Sequence, residues 1–187
     1  MRSVPLGILP KLADVVNYAT INASVTHNTP KGITSSVCIA AASHYIYHGL
    51  GQYRGIIGFC TDACKGLDKE SLAYFASIES MDCFNPESLL GKKDADFGVP
   101  CDGMRTAGAV LYIVSRSRDS LENTLTKSIL LGGDTDSTAS IACGIVAMNS
   151  GVAGLPKFLL EKLENGKHGR DYLILLGEKL FEKVSLN

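Results

Sequence analysis

No apolar run in the 187 residues approaches the about 18 needed to cross a bilayer, so no membrane-spanning helix is expected. Charge of one sign is also lacking. Eighteen Lys and Arg stand against 19 Asp and Glu, with a sequence pI of about 6.4, which excludes a broad phosphate-binding surface and argues against a nucleic-acid partner. The opening stretch Met1-Arg2-Ser3-Val4-Pro5 has none of the apolar h-region of a secretory signal, and a cytoplasmic location is expected on that basis. No Cys-x-x-Cys occurs. The six cysteines are scattered through apolar stretches and read as buried free thiols, not as a disulfide framework.

What is present is core material. Hydrophobic residues make up 45% and charged residues 20%, with mean hydropathy +0.13, so the disordered class is excluded and one packed domain is expected. The periodicity is helical almost throughout. A first helix is predicted over about 10 to 24, and a second follows Asn28-Thr29-Pro30 and stops at Gly49-Leu50-Gly51. Asp68 opens a shorter helix, 80 to 104 reads as irregular, and Met104 to Val114 as an apolar helix. Asp119-x-x-Glu122 resembles a capping box, and Gly132-Gly133 ends the helix that follows it. Another helix is predicted over Asp136 to Ser150, with Ala139, Cys143, Ala147 and Gly151 forming a row of small side chains that admits a neighbour closely. Pro156 starts a penultimate helix and Arg170 to Val184 forms the last. The expected fold class is all-α, with Gly55 to Cys60 the one strand-like stretch.

Chemistry concentrates in Leu131-Gly132-Gly133-Asp134-Thr135-Asp136-Ser137-Thr138. Two carboxylates and several hydroxyls share a glycine-led turn, an oxygen-donor set that suits a hard cation such as Mg²⁺ or Mn²⁺. The same residues also suit a helix N-terminus, where they satisfy free N–H groups and the macrodipole. Spacing alone leaves both readings open. A second candidate pairs His44-x-x-x-His48 with Cys60-x-x-x-Cys64 as a Cys₂His₂ zinc site, although each pair also fits an ordinary helix face. Glu70 and Glu79 show no pairing at helical spacing and read as solvated.

Gly132-Gly133-Asp134-Thr135-Asp136-Ser137, followed by the small-residue helix and by Gly154-Leu155-Pro156, closely resembles the C-terminal signature of the ADP-ribosylglycohydrolase family. The family motif usually ends in Thr, so Ser137 differs by a methyl group and keeps the hydroxyl. Met1-Arg2-Ser3-Val4-Pro5-Leu6-Gly7 resembles the family's Met-Arg-x-x-Pro-x-Gly stretch, Ser24 to Pro30 its Thr-His-x-x-Pro segment, and Cys101 to Ser115 its Ala-rich helix.

The resemblance implies an all-α ADP-ribosylglycohydrolase-like helical bundle over 1–187, lacking the family's N-terminal segment. It implies a metal-dependent hydrolase that removes ADP-ribose from modified protein or from an ADP-ribose-like small molecule. Asp134, Asp136 and Ser137 match ligands of a dinuclear Mg²⁺ or Mn²⁺ site, and His27 matches a residue lining the ADP-ribose pocket. Arg2 is read as a solvated terminus in preference to a phosphate contact. The catalytic residue is unknown, because the expected acid/base Glu and the remaining metal ligands belong to the segment outside this sequence. The alternatives are an inactive ADP-ribose-binding or crystallin-like structural relative, and one half of a split domain completed by another chain.

Overall fold

The computed structural model describes residues 1–117, 120–151 and 157–185. The fold is all-α. After a 3₁₀ turn at Val4–Ile8 come α1 (Leu12–Ser24) and α2 (Pro30–Tyr47). A second 3₁₀ turn, Tyr53–Gly55, leads into α3 (Ile56–Ala63), α4 (Lys69–Glu79) and α5 (Pro86–Leu90). Then follow α6 (Gly103–Val114), α7 (Leu121–Leu130), α8 (Thr135–Ser150), α9 (Lys157–Glu161) and α10 (Arg170–Ser185). No helix among the described residues is long and apolar enough to cross a membrane.

Local sequence explains the helix starts. Thr29, Asp68, Asn85, Asp102 and Ser120 each accept a hydrogen bond from the backbone N–H three residues on, filling one of the orphan donors of the first turn. Pro30 and Pro86 sit in first turns, where their missing N–H costs nothing. Ser120 takes the capping position expected one residue earlier; Asp119 and its proposed box lie outside the described residues, as do Gly154-Leu155-Pro156.

The centre of the molecule is α2, buried from Val37 to Ile46 without interruption and packed against α1, α3, α6 and α8. Helices α2, α6 and α8 also pack on one another pairwise. On α8 the buried face is Thr138, Ile141, Ala142, Ile145 and Val146; the small-residue row at Ala139, Cys143 and Ala147 lies half-buried beside it.

Two sequence expectations need correction. Gly55 to Cys60 is helical from Ile56, because Ile56, Ile57 and Cys60 fall on one helical face that meets α2 and the core, which outweighs β-branched propensity. The stretch 80 to 104 contains α5, started by Asn85 and Pro86. Glu70 is solvated, as expected, and pairs with Lys31 Nζ at 2.7 Å across the surface.

Candidate active site

The Asp motif begins with a backbone junction. Val99 donates its N–H to Gly132 O at 3.1 Å, and Asp134 donates its N–H to Val99 O at 2.8 Å, forming an isolated parallel bridge. Gly98, Gly132 and Gly133 all take positive φ, at 99°, 75° and 70°. A Cβ on Gly133 would stand 2.2 Å from Val99 O, and one on Gly98 would stand 2.1 Å from Gly132 C. The glycines therefore let two chain segments touch, and that contact fixes where α8 starts.

Asp134 is the N-cap of α8, yet its side chain makes no capping hydrogen bond. Its carboxyl group instead lies within hydrogen-bonding reach of Asp136. That contact, together with the Ser137 backbone N–H on Asp136 Oδ1 at 2.9 Å, holds the exposed Asp136 carboxyl below the usual carboxylate range. Two carboxyl groups thus converge where capping alone would need one.

A cavity of about 420 Å³ opens at this point. Its lining includes Asp134, Ser137 and Ile141 at the start of α8, Gly32, Ser35 and Ser36 of α2, and Asp102, Gly103 and Thr106 at the start of α6, together with Arg2 and His27. Three helices that pack together therefore all present their first turns to one space. Convergent N-termini supply backbone N–H groups and the positive ends of three dipoles, a setting that favours anionic ligand groups. A larger cleft, about 620 Å³, lies at the opposite ends of the same helices beside Ile46, Ser115 and Asn149, and contains none of the motif residues. Of these two cavities, only the smaller is lined by motif residues.

Of the residues singled out in the sequence, Asp134, Ser137 and His27 line this one cavity, although His27 is more than 100 positions from the Asp motif. Asp136 is exposed and is not among the residues that line it. Arg2 is exposed, as expected, yet its guanidinium is anchored: it donates to Asn22 O at 3.0 Å and to Thr26 Oγ1, and it lines the cavity. Asp102 was not singled out, and it brings a further carboxylate to the cavity while one of its oxygens accepts from Arg105 N at 2.9 Å. Its sequence signal was an acidic residue directly before an apolar helix.

The zinc candidate does not assemble. His44 Nδ1 is bonded to Gly7 O and His48 Nε2 to Leu9 O, both at 3.1 Å, while Cys60 and Cys64 turn into the core beside Cys38. Among the described residues no group of three or more His, Cys, Asp or Glu is arranged to hold a metal. At the Asp motif the donors suit a hard cation in kind. Two carboxylates and one hydroxyl fall short of the roughly six oxygens that Mg²⁺ takes.

The profile of the ADP-ribosylglycohydrolase family matches residues 1–187, and the chain belongs to that family. It is similar to an ADP-ribosylhydrolase ARH3 of Xenopus tropicalis, 23% identical over 208 aligned positions that cover 97% of this chain and 58% of that protein. It is similar also to an uncharacterized protein of Archaeoglobus fulgidus, 28% identical over 186 positions covering 97% of this chain and 56% of that protein. The chain thus spans somewhat more than half the length of these relatives.

Proposed function

We propose that this chain is the Asp-motif part of a metal-dependent hydrolase that releases ADP-ribose from modified protein or from a related ADP-ribosyl compound. The observation that carries the reading is the convergence of Asp134, Ser137 and His27 on one cavity at three helix N-termini. In this reading Asp134, Asp136 and Ser137 hold Mg²⁺ or Mn²⁺ in a dinuclear site to which the chain contributes part of the ligands. A bound divalent cation supplies positive charge to orient the ribose hydroxyls and to favour charge developing at the anomeric carbon. The first turns of α2, α6 and α8 receive the diphosphate, using N–H groups that the fold has already oriented. His27 contacts substrate from the cavity lining. The acid/base group and the remaining ligands come from a segment corresponding to the part of the relatives that this chain does not span.

Similarity to a protein named as an ADP-ribosylhydrolase supports the hydrolase assignment, and six free cysteines support a reducing, cytoplasmic setting. The second reading, a relative that binds ADP-ribose without hydrolysing it, is favoured by the short count of metal-ligating groups among the described residues. Release of ADP-ribose from an ADP-ribosylated protein separates the two, assayed with Mn²⁺ or chelator, and with or without an added polypeptide covering the family's N-terminal segment. Metal-dependent release that requires the added segment supports the split-site reading. ADP-ribose binding with no release under any condition supports the second.

A further inference from the structure

Beside the cavity three side chains are joined in series. The Arg2 guanidinium donates to Asn22 O and to Thr26 Oγ1, and Thr26 Oγ1 lies 2.7 Å from His27 Nδ1. A guanidinium carries donors only, so Thr26 Oγ1 is the acceptor in its contact with Arg2. A hydroxyl that accepted from both sides would leave its own proton with neither partner. One that passes the proton on keeps the series continuous, and in that arrangement His27 Nδ1 is the acceptor. A neutral imidazole whose Nδ1 accepts carries its proton on Nε2.

We propose that Arg2 and Thr26 are positioning residues that fix His27 as the Nε2–H tautomer, so that the ring offers the cavity a hydrogen-bond donor. A nitrogen bearing a proton has no lone pair to give a cation and takes up no proton from water. His27 therefore serves as neither metal ligand nor general base through Nε2. What it suits is an acceptor oxygen of the ligand, on a phosphate or a ribose. That last step rests on the ADP-ribosyl reading of the cavity; the tautomer does not.

The two are tested separately. Long-range ¹H–¹⁵N spectra of the imidazole rings, taken at alkaline pH with His27 assigned from His27→Ala, report the tautomer directly. The wild type and Thr26→Ser should show a single Nε2–H form, and Thr26→Val an average closer to that of free histidine. An Nδ1–H form in the wild type overturns the proposal. Calorimetry with ADP-ribose reads the consequence: Thr26→Val should bind about tenfold more weakly than the wild type, as expected for one well-placed hydrogen bond to a charged group. In a His27→Ala background the same substitution should change nothing. A tenfold loss that persists there would show that Thr26 acts independently of the ring and would overturn the relay. If the wild type fails to bind ADP-ribose, the proposed function falls, and the spectra still decide the tautomer.

Discussion

Asp134 hangs from Val99 by a 2.8 Å hydrogen bond between backbones, and the return bond from Val99 to Gly132 closes the junction. The start of α8, and with it the Asp134 carboxyl, is positioned by a loop more than thirty residues away in sequence. Removing the glycine that allows the contact should therefore damage both fold and site.

Gly133→Ala places a Cβ 2.2 Å from Val99 O on a backbone at φ 70°, so relief requires the junction to open. We expect a loss of about 2 kcal/mol or more, combining left-handed strain with a steric clash. Gly49→Ala is the control, since its φ is 60° but nothing stands within 4 Å of the added Cβ. It should cost only about 1 kcal/mol. Urea unfolding of both variants checks the difference, and equal losses would mean that the junction does not hold α8.

Thiol chemistry should divide five of the six cysteines by position. Cys83 and Cys101 are exposed, and Cys101 lines the cavity. Cys38 and Cys64 are fully buried and in contact; burial raises the first thiol well above its usual range, and the Cys38 contact does most to raise the second. Titration with an aromatic disulfide should modify Cys83 and Cys101 quickly and Cys38, Cys60 and Cys64 only in denaturant. Saturating ADP-ribose should slow Cys101 and leave Cys83 unchanged. Protection of neither would place the ligand outside this cavity.

The features that were legible in the sequence are those encoded locally. Thr29-Pro30 and Asp68 carry their capping role in their own side chains, and the boundaries of α1, α2 and α8 follow within two residues of expectation. Gly132-Gly133 announced an unusual turn. Its partner, Gly98, stood in a stretch that read as irregular, because a backbone contact across thirty residues leaves no periodic trace. The same reason hid Arg2: its acceptors, Asn22 and Thr26, are chosen by how α1 folds back, not by neighbours in the chain. Asp102 caps α6. Only the packing of α6 beside α8 brings it to the cavity.

Histidine burial predicts a pH response. His44 is 4% exposed; burial lowers its pKa below the usual histidine value, with the neighbouring His48 adding to that and the Gly7 carbonyl opposing it. Because the folded value is the lower one, the unfolded chain binds the extra proton first. His44 thus contributes stability that is fully present above about pH 6.5 and is lost as pH falls below it. Urea unfolding at pH 8 and pH 5 should show a loss in the wild type that shrinks in His44→Gln, which keeps a donor for Gly7 O but cannot titrate. An unchanged loss would assign the effect to other groups.

Substitution of Asp136 separates a ligand from a cap. Its side chain is exposed and accepts the N–H of the next residue, Ser137, on Oδ1. Asparagine retains an oxygen for that bond. If Asp136 served the helix alone, Asp136→Asn would be nearly silent in every assay. As a metal ligand it behaves differently. Its carboxyl group and that of Asp134 then supply the negative charge that draws the cation to the start of α8. Asp136→Asn should leave metal-free melting nearly unchanged, because the side chain is exposed and asparagine keeps the Ser137 bond, while removing the upward shift that Mn²⁺ produces in the wild type. The wild-type shift should itself be small in this chain alone and grow when the family's N-terminal segment is supplied, because more of the coordination shell is then protein. Melts of both proteins with and without Mn²⁺ make the comparison. Equal metal-induced shifts in wild type and variant would remove Asp136 from the ligand set, leaving the paired carboxylates as a feature of the α8 N-terminus.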